Sequence, residues 1–194
     1  MSTIALATLG PAGTDAADLA IELCPWVELV ESFRKAMDLA TTGPFVALVP
    51  CGTGPAPGEK SQADRWVDLV FCYTGSLEIA GVLVRRTKPM CLARRRGLSI
   101  SDSKSLALHP ATLSFALRYA PGVLLSFSRS KVDAVEDCAA GRVDLCIGSC
   151  DVVLRHENLE VVTVFEPQMV WTLFARPQLR STVACLLEGA EVVT

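Results

Sequence analysis

The apolar positions of this chain fall into short runs that switch between two periods. Ile4-Ala5-Leu6-Ala7 and Phe45-Val46-Ala47-Leu48-Val49 are continuous and strand-length, as expected of strands buried on both faces. Val27-Glu28-Leu29-Val30 alternates and predicts a short strand. Between these runs, residues 14–23 and the set Phe33, Ala36, Met37 and Leu39 repeat at helical spacing, with Thr14 or Asp15 and then Ser32 as N-caps. Further strands are predicted over 68–73, 77–85, 88–92, 105–108, 123–127, 143–147, 159–165 and 170–175, with helices over 111–119 and 179–187. A helix starting at Ser130 carries Val132, Val135, Cys138 and Ala139 on one side and is closed by Gly141. Strands alternating with helices predict an α/β protein.

The run over 77–85 is long enough to carry the chain from one lobe to another. The pattern predicts two lobes, with residues 1–82 plus 151–194 as the first, 83–150 inserted as the second, and a ligand in the cleft between them. In open α/β sheets, ligands sit beyond the carboxyl ends of strands. Two glycine-rich loops point there, Leu9–Thr14 and Pro50–Gly58. At the first, a strand, a tight turn and a helix start aim unpaired N–H groups at one point, where a carboxylate or phosphate binds well. Gly10 and Gly13 permit the sharp turn.

Half of the 194 residues are hydrophobic (51%) and only 20% are charged, so a substantial core forms and disorder is not expected. The net charge of −3 and the lack of a basic stripe interleaved with aromatics argue against nucleic acid. No apolar run approaches the roughly 20 residues of a membrane span, and the N-terminus shows no signal-peptide pattern. The expectation is a soluble, cytoplasmic protein, with a homodimer left open. None of the eight cysteines forms a Cys-x-x-Cys pair and no histidine has zinc spacing, so neither a metal nor a cofactor is expected. Arg94-Arg95-Arg96 beside Gly97 reads as a solvated loop, His109-Pro110 as a turn, and Arg85 and Arg86 as a strand end that offers one cation to the cleft.

The order of these segments resembles a known family. Leu9-Gly10-Pro11-Ala12-Gly13-Thr14 is similar to the glycine-proline-x-glycine-threonine signature of prephenate dehydratases. Ala47-Leu48-Val49-Pro50 resembles the strand before that family's glutamate-asparagine-serine loop. Ser130-Lys131-Val132-Asp133-Ala134-Val135 resembles its serine-threonine-x-glutamate-alanine-alanine helix start, and Asp144–Ser149 the strand after it. Thr172-Leu173-Phe174 falls where the family has threonine-arginine-phenylalanine. The resemblance implies a two-lobed periplasmic-binding-protein-like type II fold with the ligand cleft between lobes. The departures are specific: Leu173 replaces the arginine, Cys51-Gly52-Thr53-Gly54 replaces the second loop, and no C-terminal ACT regulatory domain is expected. These departures resemble the shorter prephenate decarboxylases of antibiotic pathways such as that of bacilysin, which lose carbon dioxide and keep the ring hydroxyl. The alternatives are a dehydratase giving phenylpyruvate and a non-catalytic small-carboxylate binder.

For a dicarboxylate such as prephenate, the resemblance and the helix-end argument together place one carboxylate on Gly10, Pro11, Ala12, Gly13 and Thr14. Thr53, with the backbone of Cys51 and Gly52, would hold polar groups of the ring. Ser130 and Lys131 would take the second carboxylate at another helix start. Thr172 would orient the hydroxyl or relay a proton, and Phe174 would pack against the ring. Catalytic roles thus fall on Thr172, Thr14 and Thr53.

Overall fold

The computed structural model describes residues 4–52 and 65–188. In chain order the elements are β1 (Ala5–Leu9), α1 (Asp15–Leu23), β2 (Val27–Val30), α2 (Phe33–Thr42), β3 (Phe45–Pro50), α3 (Trp66–Cys72), β4 (Glu78–Arg86), β5 (Met90–Arg95), β6 (Ser105–Leu108), α4 (Leu113–Tyr119), β7 (Leu124–Phe127), α5 (Lys131–Ala139), β8 (Leu145–Ser149), α6 (Cys150–Val153), β9 (Leu159–Phe165), β10 (Gln168–Ala175) and α7 (Arg180–Glu188). Among the described residues, one compact unit comprises 4–52, 65–86 and 168–188, and the other 87–167. The crossings thus fall at 87 and 168, where the sequence pattern put them at 83 and 151. The reason is strand pairing. β10 runs beside β4 as far as Gln168 and Arg86, keeping both in the first sheet, and β9 pairs with β5, keeping it in the second.

The first sheet has the order β2-β1-β3-β10-β4. β1 is parallel to β2 and β3, and β10 runs antiparallel to β3 and β4. Thr14 caps α1, which buries Ala16, Ala17, Leu19 and Ala20, and Ser32 caps α2. α3 corrects the strand predicted over 68–73. Its core contacts, Trp66, Leu69, Val70 and Tyr73, are spaced at helical intervals, while Val67 and Phe71 face outward. Arg65 and Asp68 pair across the first turn at 2.6 Å. A short, mostly apolar segment such as this reads as either element until its outward residues are known, and here the buried set is spaced for a helix.

The second sheet has the order β7-β6-β8-β5-β9. Its two faces differ in side-chain size. Met90, Leu92, Leu106, Leu108, Leu145 and Ile147 form one face, packed with Ala116 of α4. Cys91, Ala93, Ala107 and Cys146 form the other, packed with Ala134, Val135 and Cys138 of α5. Small residues on that face let α5 approach closely. A Cβ on Gly148 would sit 2.2 Å from Val135 Cγ2 and 2.9 Å from the Lys131 carbonyl. This accounts for several of the cysteines as compact apolar fillers. The buried stripe of α5 is therefore Ala134, Val135 and Cys138, and Val132, predicted on it, is 47% exposed. Among the described residues no helix is long and apolar enough to cross a membrane.

Candidate functional site

In the first unit, the β1–α1 turn is built as its glycines suggest, but its donors are divided. The Gly10 N–H donates to the Val30 carbonyl at 2.9 Å, which takes it away from any ligand, and Pro11 has no N–H. Gly13 turns the chain at φ +85°, with open space where a Cβ would stand. The Thr14 hydroxyl accepts from the Ala17 N–H at 3.2 Å and donates to the Pro11 carbonyl at 3.1 Å, so it serves as a helix cap. The N–H groups of Ala12, Thr14 and Ala16 have no acceptor among the described residues. Unpaired donors at a helix start are of the kind that suits an anion. Asp15 and Asp18 lie in the same first turn and oppose any long-range attraction for anions. Any attraction for an anion at this turn would be short-range, from main-chain donors alone.

At the end of β3, the Cys51 N–H donates to the Val170 carbonyl at 2.9 Å. Gly52 leaves room for Met169, whose Cε would be 2.9 Å from an added Cβ. Burial pushes the Cys51 thiol pKa up, so the sulfur stays protonated and is a poor nucleophile. Thr53 lies outside the described residues.

The Thr172-Leu173-Phe174 stretch is an interior strand segment. Thr172 is 2% exposed; its hydroxyl accepts from the Trp66 indole N–H and donates to the Val49 carbonyl, both at 2.9 Å. With its proton donated and a lone pair filled, it ties α3 and β3 to β10 and holds a positioning role. Leu173 is fully buried, and Phe174, predicted to face a ligand ring, is 2% exposed within the core. From Trp171 to Ala175 β10 is buried on both faces, while Val170 before it is 40% exposed. Sequence reasoning passed over Trp66 and Trp171. The only signal for either was an aromatic residue beside a motif residue or at the head of a helical stripe.

In the second unit, Ser130 caps α5 by accepting from the Asp133 N–H at 3.0 Å. Lys131 Nζ lies 3.6 Å from Met90 Sδ. His109 Nδ1 accepts from the Ala111 N–H at 3.3 Å. Burial, and then the Lys131 charge, lower the His109 pKa and favour the neutral ring with its proton on Nε2. The basic run is structural: Arg94 and Arg95 belong to β5, where Arg94 pairs with Glu160 at 3.1 Å and Arg95 with Asp144 at 2.9 Å. Arg96 donates to the Glu157 carbonyl at 3.1 Å. Arg85, one of the two strand-end arginines from which the sequence offered one to the cleft, points to Glu22 of α1 at 3.5 Å. A pocket of about 490 Å³ beside Arg96, Val153, His156 and Leu159 contains none of the predicted site residues. Among the described residues no cluster of three or more His, Cys, Asp or Glu side chains suits a metal ion.

No family model and no curated protein matches the chain at a significant level. Solved structures do match. A prephenate dehydratase from Arthrobacter aurescens, in complex with L-Phe, superposes with a TM-score of 0.59 at 16% identity over 90% of this chain. The prephenate dehydratase of Staphylococcus aureus superposes at 0.57 and 10% identity over 89%. This chain spans 60% and 66% of those two chains. The periplasmic binding protein BugD superposes at 0.63 and 13% identity, over 95% of this chain and 81% of its own. At such identities the likeness establishes architecture, and the architecture is the two-lobed, periplasmic-binding-protein-like type II fold that prephenate dehydratases and periplasmic binding proteins share.

Proposed function

We propose that the protein is a cytoplasmic lyase of secondary metabolism acting on prephenate or a close dicarboxylate, and that it removes carbon dioxide without aromatising the ring. The observation that carries this reading is the β1–α1 turn, where three N–H groups without an acceptor among the described residues sit at a strand end. They suit one carboxylate of such a substrate, held by short-range hydrogen bonds rather than by a cation.

The fully buried Leu173 supports decarboxylation over dehydration. Expelling a ring hydroxyl calls for a group that protonates or neutralises it, and the Thr172-Leu173-Phe174 segment supplies no charge. In decarboxylation, the bond from the ring to its carboxylate breaks and carbon dioxide leaves. The electron pair enters the ring, a ring carbon takes up a proton, and the hydroxyl stays. A charge-poor surrounding favours this step, because the transition state spreads the carboxylate's charge. Thr172 supports it indirectly by fixing the ends of β3 and β10.

A second reading, a binder of small carboxylates without catalysis, is favoured by the commitment of the Thr172 and Thr14 hydroxyls to internal hydrogen bonds. Incubation of the purified protein with prephenate, followed by proton NMR, tests both. Loss of carbon dioxide with a non-aromatic, hydroxyl-bearing product supports the decarboxylase. Phenylpyruvate formed at an enzymic rate overturns it in favour of dehydration, and saturable binding without turnover supports the binder.

A further inference from the structure

The Trp171 side chain is 3% exposed, yet its indole N–H has no hydrogen-bond partner among the described residues. Leaving a buried donor unpaired is costly, and native proteins rarely do so without a reason. Strand register locates the side chain. Residues directly opposite in an antiparallel pair share a face of the sheet. Trp171 lies opposite Pro50 on one side and Leu83 on the other, and Met169 lies opposite Arg85. Arg85 on that face reaches Glu22 of α1, so α1 packs on the Trp171 face, while Trp66 of α3 reaches Thr172 on the other. The level along the strands is also fixed. Ala7 pairs with Ala47, and continuing that register sets Gly10 beside Pro50, the residue opposite Trp171. The unpaired indole is thus at the strand-end level of the Gly10–Thr14 turn, on the face that carries α1. Met169, next but one on β10, closes over Gly52 on that same face.

We propose that the Trp171 indole N–H is a ligand-positioning donor, hydrogen-bonding a carboxylate oxygen of the molecule held at the β1–α1 turn. The inference rests on the carboxylate-binding reading given above and adds to it a side-chain donor from β10. An uncharged donor suits a step that disperses charge, since it orients the carboxylate without locking its charge in place as a guanidinium would.

The test is prephenate binding by calorimetry to the wild-type protein and to Trp171→Phe, which keeps the aromatic bulk and deletes the donor. The expected result is affinity weakened about tenfold, with an unchanged or raised thermal midpoint in the absence of ligand, because no internal hydrogen bond is lost. A second measurement needs no variant at the site. In a nitrogen-15 correlation spectrum the three tryptophans give three indole signals, and prephenate should move that of Trp171 downfield while that of Trp26, 61% exposed, stays in place. Equal affinity in the variant together with a stationary Trp171 signal overturns the assignment and leaves the carboxylate site standing. Failure of the wild-type protein to bind prephenate overturns the carboxylate reading and this assignment with it.

Discussion

Gly13 offers a clean separation of stability from ligand binding. Its φ of +85° is unfavourable for any residue with a Cβ, yet a Cβ there would meet no atom within 4 Å. Replacement by alanine therefore carries a backbone cost and no packing cost. That cost is about 1–2 kcal/mol, the penalty of left-handed backbone for an L-residue. Asparagine tolerates this region better, so Gly13→Asn should lose less, and the β-branched Gly13→Val more. For a chain of this size each kcal/mol lowers the thermal midpoint by about 2–4 °C.

Binding should not follow that order. If the proposed carboxylate occupies the open space next to Gly13, a Cβ there takes part of its place. All three variants should therefore lose affinity for prephenate by about tenfold or more, the worth of one charge-assisted hydrogen bond. Gly13→Val should have no measurable turnover. The assay pairs thermal unfolding with calorimetric titration of each variant. Graded stability with uniformly lost binding supports the turn as the anion site. Full turnover in Gly13→Val would refute it, and a stability loss above about 3 kcal/mol in Gly13→Ala, more than backbone strain accounts for, would refute the open space.

Three other perturbations probe the frame. Gly148→Ala should cost about 3 kcal/mol in urea unfolding, the upper range for overpacking, because its Cβ would meet the Lys131 carbonyl, a backbone atom unable to swing away. Thr172→Val should cost about 1–3 kcal/mol by orphaning the Trp66 indole N–H, and Thr172→Ser should restore most of that loss; a silent Thr172→Val would contradict the positioning role. The Asp144 carboxyl is held below the usual carboxylate range, first by the Lys104 N–H and then by Arg95 and Ser105. A lowered folded-state pKa contributes stability that is full above the unfolded value of about 4 and is lost as pH falls from there through the lower folded value. Asp144→Asn should therefore destabilise at pH 7 and much less near pH 2, checked by unfolding at both.

Most of the fold was legible because two periodicities carried it. β2 and β6, and the caps Thr14, Ser32 and Ser130, stand where the pattern put them. α3 was not legible as a helix, since Val67 and Phe71 are apolar yet face outward and so erase the polar face that marks helical spacing. Arg94 and Arg95 hid the second half of β5, predicted to end at 92, because charges inside it are tolerated only by pairing with Glu160 and Asp144, which are remote in sequence. The β1–α1 junction was legible from its glycines, but the bonding state of the side chains around it was not. Thr172 and Phe174 stand out by their place in a family motif, but the stretch from Trp171 to Ala175 is buried on both faces, and a motif position does not say which hydroxyl is already bonded.

The same distinction explains where binding specificity would reside. At the β1–α1 turn the side chains are occupied with structure: Thr14 caps the helix, and Asp15 and Asp18 bring the wrong charge for an anion. Among the described residues, the donors there without a partner are the main-chain N–H groups of Ala12, Thr14 and Ala16 and, by the proposal above, the Trp171 indole, and none of these carries charge. A site made of neutral donors recognises shape and the number of acceptor oxygens, not net charge. It follows that a monocarboxylate of matching ring size should compete with prephenate more effectively here than at a cation-lined site. Competition titration with phenylpyruvate measures this directly. An inhibition constant within about tenfold of the prephenate affinity, the worth of one charged hydrogen bond, fits neutral recognition, and a much weaker one would point to a cation not yet assigned to this unit.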